Sequence, residues 1–107
     1  MAMEFRELTI HFDPTRGRRQ RESQTAVFNA RVQNAQAMLK GFRLRYNNGD
    51  HHVLEQEVDL DITGISGNAV TVAADFLLRD GSGNIDDPFS GFVQAVVIAD
   101  TAANPQT

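Results

Sequence analysis

Between Met38 and Ile62 apolar and polar residues alternate almost one for one, and this period of two restricts the chain more than anything else in it. Met38, Phe42, Leu44 and Tyr46 interleave with Leu39, Gly41, Arg43 and Arg45, and Leu54, Val58, Leu60 and Ile62 interleave with Glu55, Glu57, Asp59 and Asp61. On a helix each set would spread around the axis, whereas on a strand it gathers on one side. Asn47-Asn48-Gly49-Asp50, between the two runs, has turn chemistry. The segment therefore predicts a β-hairpin of two oppositely charged strands sharing one buried face. Keeping Phe42 and Leu44 on the same side as Leu54 and Val58 requires a loop of odd length, with Gly49 in the left-handed conformation. That register sets Arg43 opposite Glu55 or Glu57 and, with the shortest such loop, Arg45 diagonal to Glu55. Exposed pairs of this kind are worth only ~0.2–1 kcal/mol each.

The rest of the chain repeats the signal. Residues 4–12 read as a first strand, with Arg6, Leu8, Ile10 and Phe12 on one side, and Asp13-Pro14 ends it. Arg16, Arg18, Arg19 and Arg21 then form a basic loop running to about Ser23, either a solvated connector or an anion-binding arm. A second strand over 25–32 places Ala26, Phe28, Ala30 and Val32 in phase. Residues 33–39 are rich in helix-favouring side chains and read as a corner leading into the third strand. Ile62 to Asn68 is a second turn, followed by a fifth strand with Val70, Val72, Ala74, Phe76 and Leu78 in phase and a long polar loop from Asp80 to Gly91. Residues 92–99 are apolar on both faces, as expected at the centre of a sheet or beneath a neighbouring subunit. The expected fold is an all-β, six-stranded antiparallel β-sandwich of two three-stranded sheets. It forms a single domain over residues 1–100, and 101–107 are a polar tail expected to be disordered.

Composition closes several function classes. No cysteine is present, so neither a disulfide framework nor a thiolate metal site is available. The longest apolar runs, such as 95–99, fall far short of the ~20 residues of a membrane helix. Residues 1–6 lack the apolar core of a signal peptide, which makes a soluble protein, cytoplasmic or exported without a cleaved leader, the expectation. Lys and Arg number 10 against 14 Asp and Glu, a net charge of −4, so no nucleic-acid or membrane partner is expected.

Asp80, Ser82, Asn84 and Asp86 put an oxygen at every second residue, the alternation of a calcium loop. The pattern is incomplete, because Ile85 stands at the glycine position and Gly91 replaces the bidentate glutamate. An Asp- and Gly-rich connection whose side chains cap their own backbone is the competing reading. Calcium is the one cofactor the sequence offers. His51 and His52 are adjacent and would point to opposite faces of a strand, so a zinc site with His11 is not expected. Glu55, Glu57, Asp59 and Asp61 stand side by side without burial to separate their pKa values, and read as a solvated face or a charged rim at a subunit contact. No nucleophile, base and orienting acid can be named together, so no enzyme is expected.

The extended segment around Phe28, the hydrophobic hairpin and the closing strand Val93-Gln94-Ala95-Val96-Val97-Ile98-Ala99 resemble, over residues 25–100, the small six-stranded sandwich of H-type lectins and their bacterial relatives. The closing strand of that family usually ends in an aromatic, aliphatic, alanine pattern; here Val97 holds the aromatic position before Ile98-Ala99, and tryptophan is absent. The resemblance implies a homo-oligomer, a trimer or hexamer, that binds N-acetylgalactosamine-like sugars in clefts between subunits and gains avidity from repetition. On that reading Tyr46, Asp50, His51, Asp80, Asn84, Asp86 and Asp87 are the contributing residues. The expected function is a non-enzymatic oligomeric carbohydrate-binding module. The alternative is a structural or assembly protein of a phage particle or a secreted bacterial assembly.

Overall fold

Strands with one apolar and one polar face must close over one another, and two layers are the smallest arrangement that does so. The computed structural model describes residues 2–15, 19–47, 53–80 and 88–102. Its strands are β1 (Ala2–Thr15), β2 (Gln20–Val27), β3 (Val32–Tyr46), β4 (Val53–Ser66), β5 (Ala69–Asp80) and β6 (Phe89–Thr101). They form two antiparallel three-stranded sheets, ordered β1-β6-β3 and β2-β5-β4, as the sequence led us to expect.

The pairing within those sheets differs from the predicted hairpin. β3 pairs with β6, and β4 with β5, so the two halves of the 38–62 segment lie in opposite layers. Alternation specifies which face of a strand is dry but not which strand lies beside it. Two strands facing each other across a core satisfy the same parity as two strands paired in one sheet. The cross-strand neighbours of Arg43 and Arg45 are accordingly Phe92 and Ser90, while Glu55 lies beside Arg79.

β3 and β4 each slip register twice, near their N-terminal ends and in their interiors, and the interior bulges shift the phase. Lys40 in β3 and Thr63 in β4 have no partner, each immediately before a glycine, Gly41 and Gly64. Met38 therefore points out of the sandwich and is 50% exposed, while Ala35 and Ala37 pack against the core. Residues 33–39 are strand and not a corner, and β2 begins at Gln20, within the predicted basic loop. Ala26, Phe28, Ala30 and Val32 are all buried, although Phe28 and Ala30 lie in the β2–β3 connection. β6 reaches Thr101, whose buried hydroxyl donates to the Ala2 carbonyl at 3.1 Å.

The central strands build the core. Val93, Val97 and Ala99 of β6 face Val70, Val72, Ala74 and Phe76 of β5, all with zero exposure. Phe76 stacks on Phe12 at 4.3 Å between ring centroids and lies 5.9 Å from Phe89. The ring reaches so far into the opposite sheet that the position beneath it must be glycine. A Cβ on Gly91 would sit 2.9 Å from Phe76 Cζ and 1.7 Å from the Arg43 carbonyl oxygen, and its φ of 153° disfavours any side chain.

The end of the sandwich that carries the chain termini is closed by polar contacts. Gly67, at φ 59°, and Asn68 make a two-residue β4–β5 turn, the one hairpin link among the described strands. Phe28 N–H and Val32 N–H donate to the Asn68 and Gly67 carbonyls, both at 2.8 Å, and thereby tie the β2–β3 connection to that turn. Across from it, Arg6 lies 5.0 Å over the Phe28 ring and donates to the Val27 carbonyl at 3.0 Å and to Glu4 at 3.2 Å. Glu4 in turn accepts from the Asn29 N–H at 3.2 Å. Burial pushes the Glu4 carboxyl upward, but hydrogen bonding from Thr101 and Asn29 and the Arg6 charge outweigh it, leaving the pKa below the ordinary value.

Gly91→Ala should destabilise the fold by about 3 kcal/mol or more in denaturant unfolding, because neither the Arg43 carbonyl nor the Phe76 ring has space to retreat. Glu4 should make stability depend on pH in acid. Since folding lowers its pKa, its contribution is complete above the unfolded carboxyl value near 4.5 and lost as pH falls through the lower folded value. Urea midpoints of wild type and Glu4→Gln should thus differ by a constant amount at neutral pH and converge on acidification.

Candidate functional site

The topology brings the predicted site residues to one end. β1, β3 and β5 all finish there, and β2, β4 and β6 all start there, so the connections 16–19, 47–52 and 81–88 leave from the same end of the sandwich. A hydrogen bond of 3.0 Å from Asn47 N–H to the Pro88 carbonyl joins the start of one to the end of another. Tyr46 is half-buried, on the inner side of β3 and packed against the core. Asp80 closes β5 opposite Val53. Asp50, His51, Ser82, Asn84, Asp86 and Asp87 lie outside the described residues, and with them the calcium loop apart from Asp80.

Next to that end, the outer face of the β1-β6-β3 sheet carries a shallow groove. One wall is Asp13 and Pro14, where β1 slips register against β6 between Phe12 and Thr15. The other wall is Arg43 and Arg45, and Asn47 closes the end. Ser90 forms a floor that is only 7% exposed, and Phe92 rises beside it, 6.4 Å from the His11 ring. Alternation makes this shape. Arg43 and Arg45 are two apart on a strand and so project from the same face, and a serine between long side chains leaves a trough.

The outer face of the other sheet is an ion lattice. Arg19 meets Glu57 at 2.6 Å across the buried Leu77, Arg79 meets Glu55 at 3.1 Å, and Arg21 reaches Asp75 at 2.5 Å and Asp61 at 3.5 Å. Three of the stripe's four carboxylates thus pair within this sheet's own layer, Glu55 with β5, Asp61 with β2 and Glu57 with Arg19 just before β2, and none with β3. Carboxylate oxygens of Asp59, Asp61 and Asp75 come within 4.8 Å of one another, and Asp59 stands directly opposite Asp75. Opposed like charges destabilise a ladder. Arg21 offsets this, and its hydrogen bond to Asp75, reinforced by that carboxylate's charge, holds its guanidinium pKa above the ordinary value. Among the described residues Arg21 is the one guanidinium paired into these three carboxylates, so the cluster keeps an excess of negative charge.

Compared with family models, curated proteins and solved structures, the chain matches none of them. Its functional reading therefore rests on its own geometry.

Sequence reasoning missed the groove because it tied Arg43 and Arg45 to the acidic strand. The available signal was the short side chains Ser90 and Gly91 beside Phe92 in the sixth strand. Arg21→Ala should lower the melting temperature by leaving Asp59 and Asp75 opposed, and adding Asp59→Asn should restore part of the loss. Thermal unfolding of the single and double variants measures both effects.

Proposed function

We propose that this chain is a non-enzymatic, homo-oligomeric binding module whose ligand is a carbohydrate. The observation that carries the reading is the outer face of the β1-β6-β3 sheet. Met3 and Phe5 of β1 are 59% and 60% exposed and Met38 of β3 is 50% exposed, with Val96 and Ile98 of β6 half-buried between them. The pairs Phe5–Ile98 and Val96–Met38 make the patch continuous across all three strands. A monomer gains nothing from holding so many apolar side chains against water.

The magnitudes favour a second copy on this face. Covering one such side chain contributes roughly 1.5–3 kcal/mol, and several from each partner offset an association cost of about 4–15 kcal/mol. The groove supplies the other half of the reading, a ring beside hydrogen-bonding groups at the end of the same face. Repetition in an oligomer raises the avidity of such a shallow site, as the H-type lectin resemblance implies. The same apolar face favours a second reading, a structural component of a phage particle or secreted bacterial assembly, which has no need of the groove.

Wild type should sediment at a multiple of the chain mass, and Phe5→Asp with Met38→Asp should sediment as a single folded chain. A single-chain mass for wild type overturns the reading. A glycan array probed with and without calcium separates the two versions: signal in either condition marks a lectin, and silence in both leaves the assembly protein.

A further inference from the structure

We infer that the groove between Asp13 and Arg45 selects an acidic sugar, one carrying a carboxylate or sulfate, with Arg43 and Arg45 as its anion-binding pair. This rests on the carbohydrate reading above and narrows it. The argument begins with charge pairing. Arg6, Arg19, Arg21, Lys40 and Arg79 each have a carboxylate partner in the structure. Among the described residues no carboxylate lies within 4 Å of Arg43 or Arg45. Arg31 also lacks a carboxylate partner among the described residues but stands alone, whereas Arg43 and Arg45 put two such guanidiniums side by side on one strand face. Their Cα atoms are about 7 Å apart, a spacing from which two long side chains converge on a single anion.

The remaining lining separates a sugar from a bare anion. Ser90 and Asn47 line the trough beside the arginines and offer a hydroxyl and an amide to sugar hydroxyls. Phe92 presents an apolar ring between the walls, as a pyranose face requires. A polyphosphate, negative along its length, has no apolar face to lay on Phe92. A ligand with its charge at one end and a ring face with hydroxyls at the other fits both the arginines and the phenyl ring.

The test is an array carrying uronate, sialylated, sulfated and neutral glycans, probed with the full chain and followed by titration of the best acidic hit. Signal confined to acidic glycans is expected. Arg43→Gln or Arg45→Gln should each weaken binding about tenfold, while Arg31→Gln, another exposed arginine outside the groove, should not. Circular dichroism of the variants should match wild type. Signal confined to neutral glycans, or undiminished affinity in the double variant, overturns this inference and leaves the carbohydrate reading intact. Inorganic sulfate binding as tightly as the acidic glycan overturns the assignment to a sugar. Silence across the whole array overturns both.

Discussion

Phe76 is the contact on which the arrangement turns. Its ring leaves the middle strand of one sheet, stacks within 7° of parallel on Phe12 and meets Phe89 and Gly91 of the other sheet. Close packing of this kind leaves one way for the layers to register. Gln20 lies on the same side, and its side-chain N–H donates to the Phe89 carbonyl at 2.8 Å, fixing β2 to β6 where only Gln20 and Ala26 of β2 are buried. At the opposite end Glu4 and Arg6 face inward from an edge strand and hold the β2–β3 connection in place. Inward-pointing charges on an edge also discourage pairing with a foreign strand.

With the interior fixed, the two outer faces are free to differ, and they do. One sheet shows solvent a network of guanidiniums and carboxylates, most of them paired, with Asp59 facing Asp75. The other shows thioethers, a phenyl ring and aliphatic side chains, with the Lys40–Glu7 pair on the same face and, at one end, two arginines that have no carboxylate partner among the described residues. The sandwich thus has one hydrated and one largely apolar outer layer.

Much of this was legible in the sequence, within a definable limit. The alternation of Val70, Val72, Ala74, Phe76 and Leu78 identified a core strand, and every one of those residues is buried. The two apolar faces of β6 followed from Val93 to Ile98, and β6 is indeed the middle of its sheet. Side-chain period reports a face, and neighbours are set by long-range pairing, so Arg43 acquired Glu55 as an imagined partner when Phe92 holds that place. The bulges at Lys40 and Thr63 reverse the phase within a strand. Gly41 and Gly64 were their only trace, since an isolated glycine in an alternating run marks a bulge as readily as a bend. Of the residues first suspected of binding, Tyr46 packs against the interior and most of the others lie outside the described residues, whereas the groove is assembled from three strands far apart in the chain.

The distribution of links between strands carries a last consequence. The end built on Gly67 and Asn68 is stitched by backbone hydrogen bonds to Phe28 and Val32, so an added residue there would undo several bonds together. The opposite end receives three crossings from one layer to the other, and layer-to-layer spans tolerate changes of length far better than tight turns. The frame therefore has one end intolerant of added residues and one end that accepts them more readily. Because Phe12 and Phe89 of the aromatic stack lie beside that tip, segments inserted there would have to spare the strand ends that hold those rings.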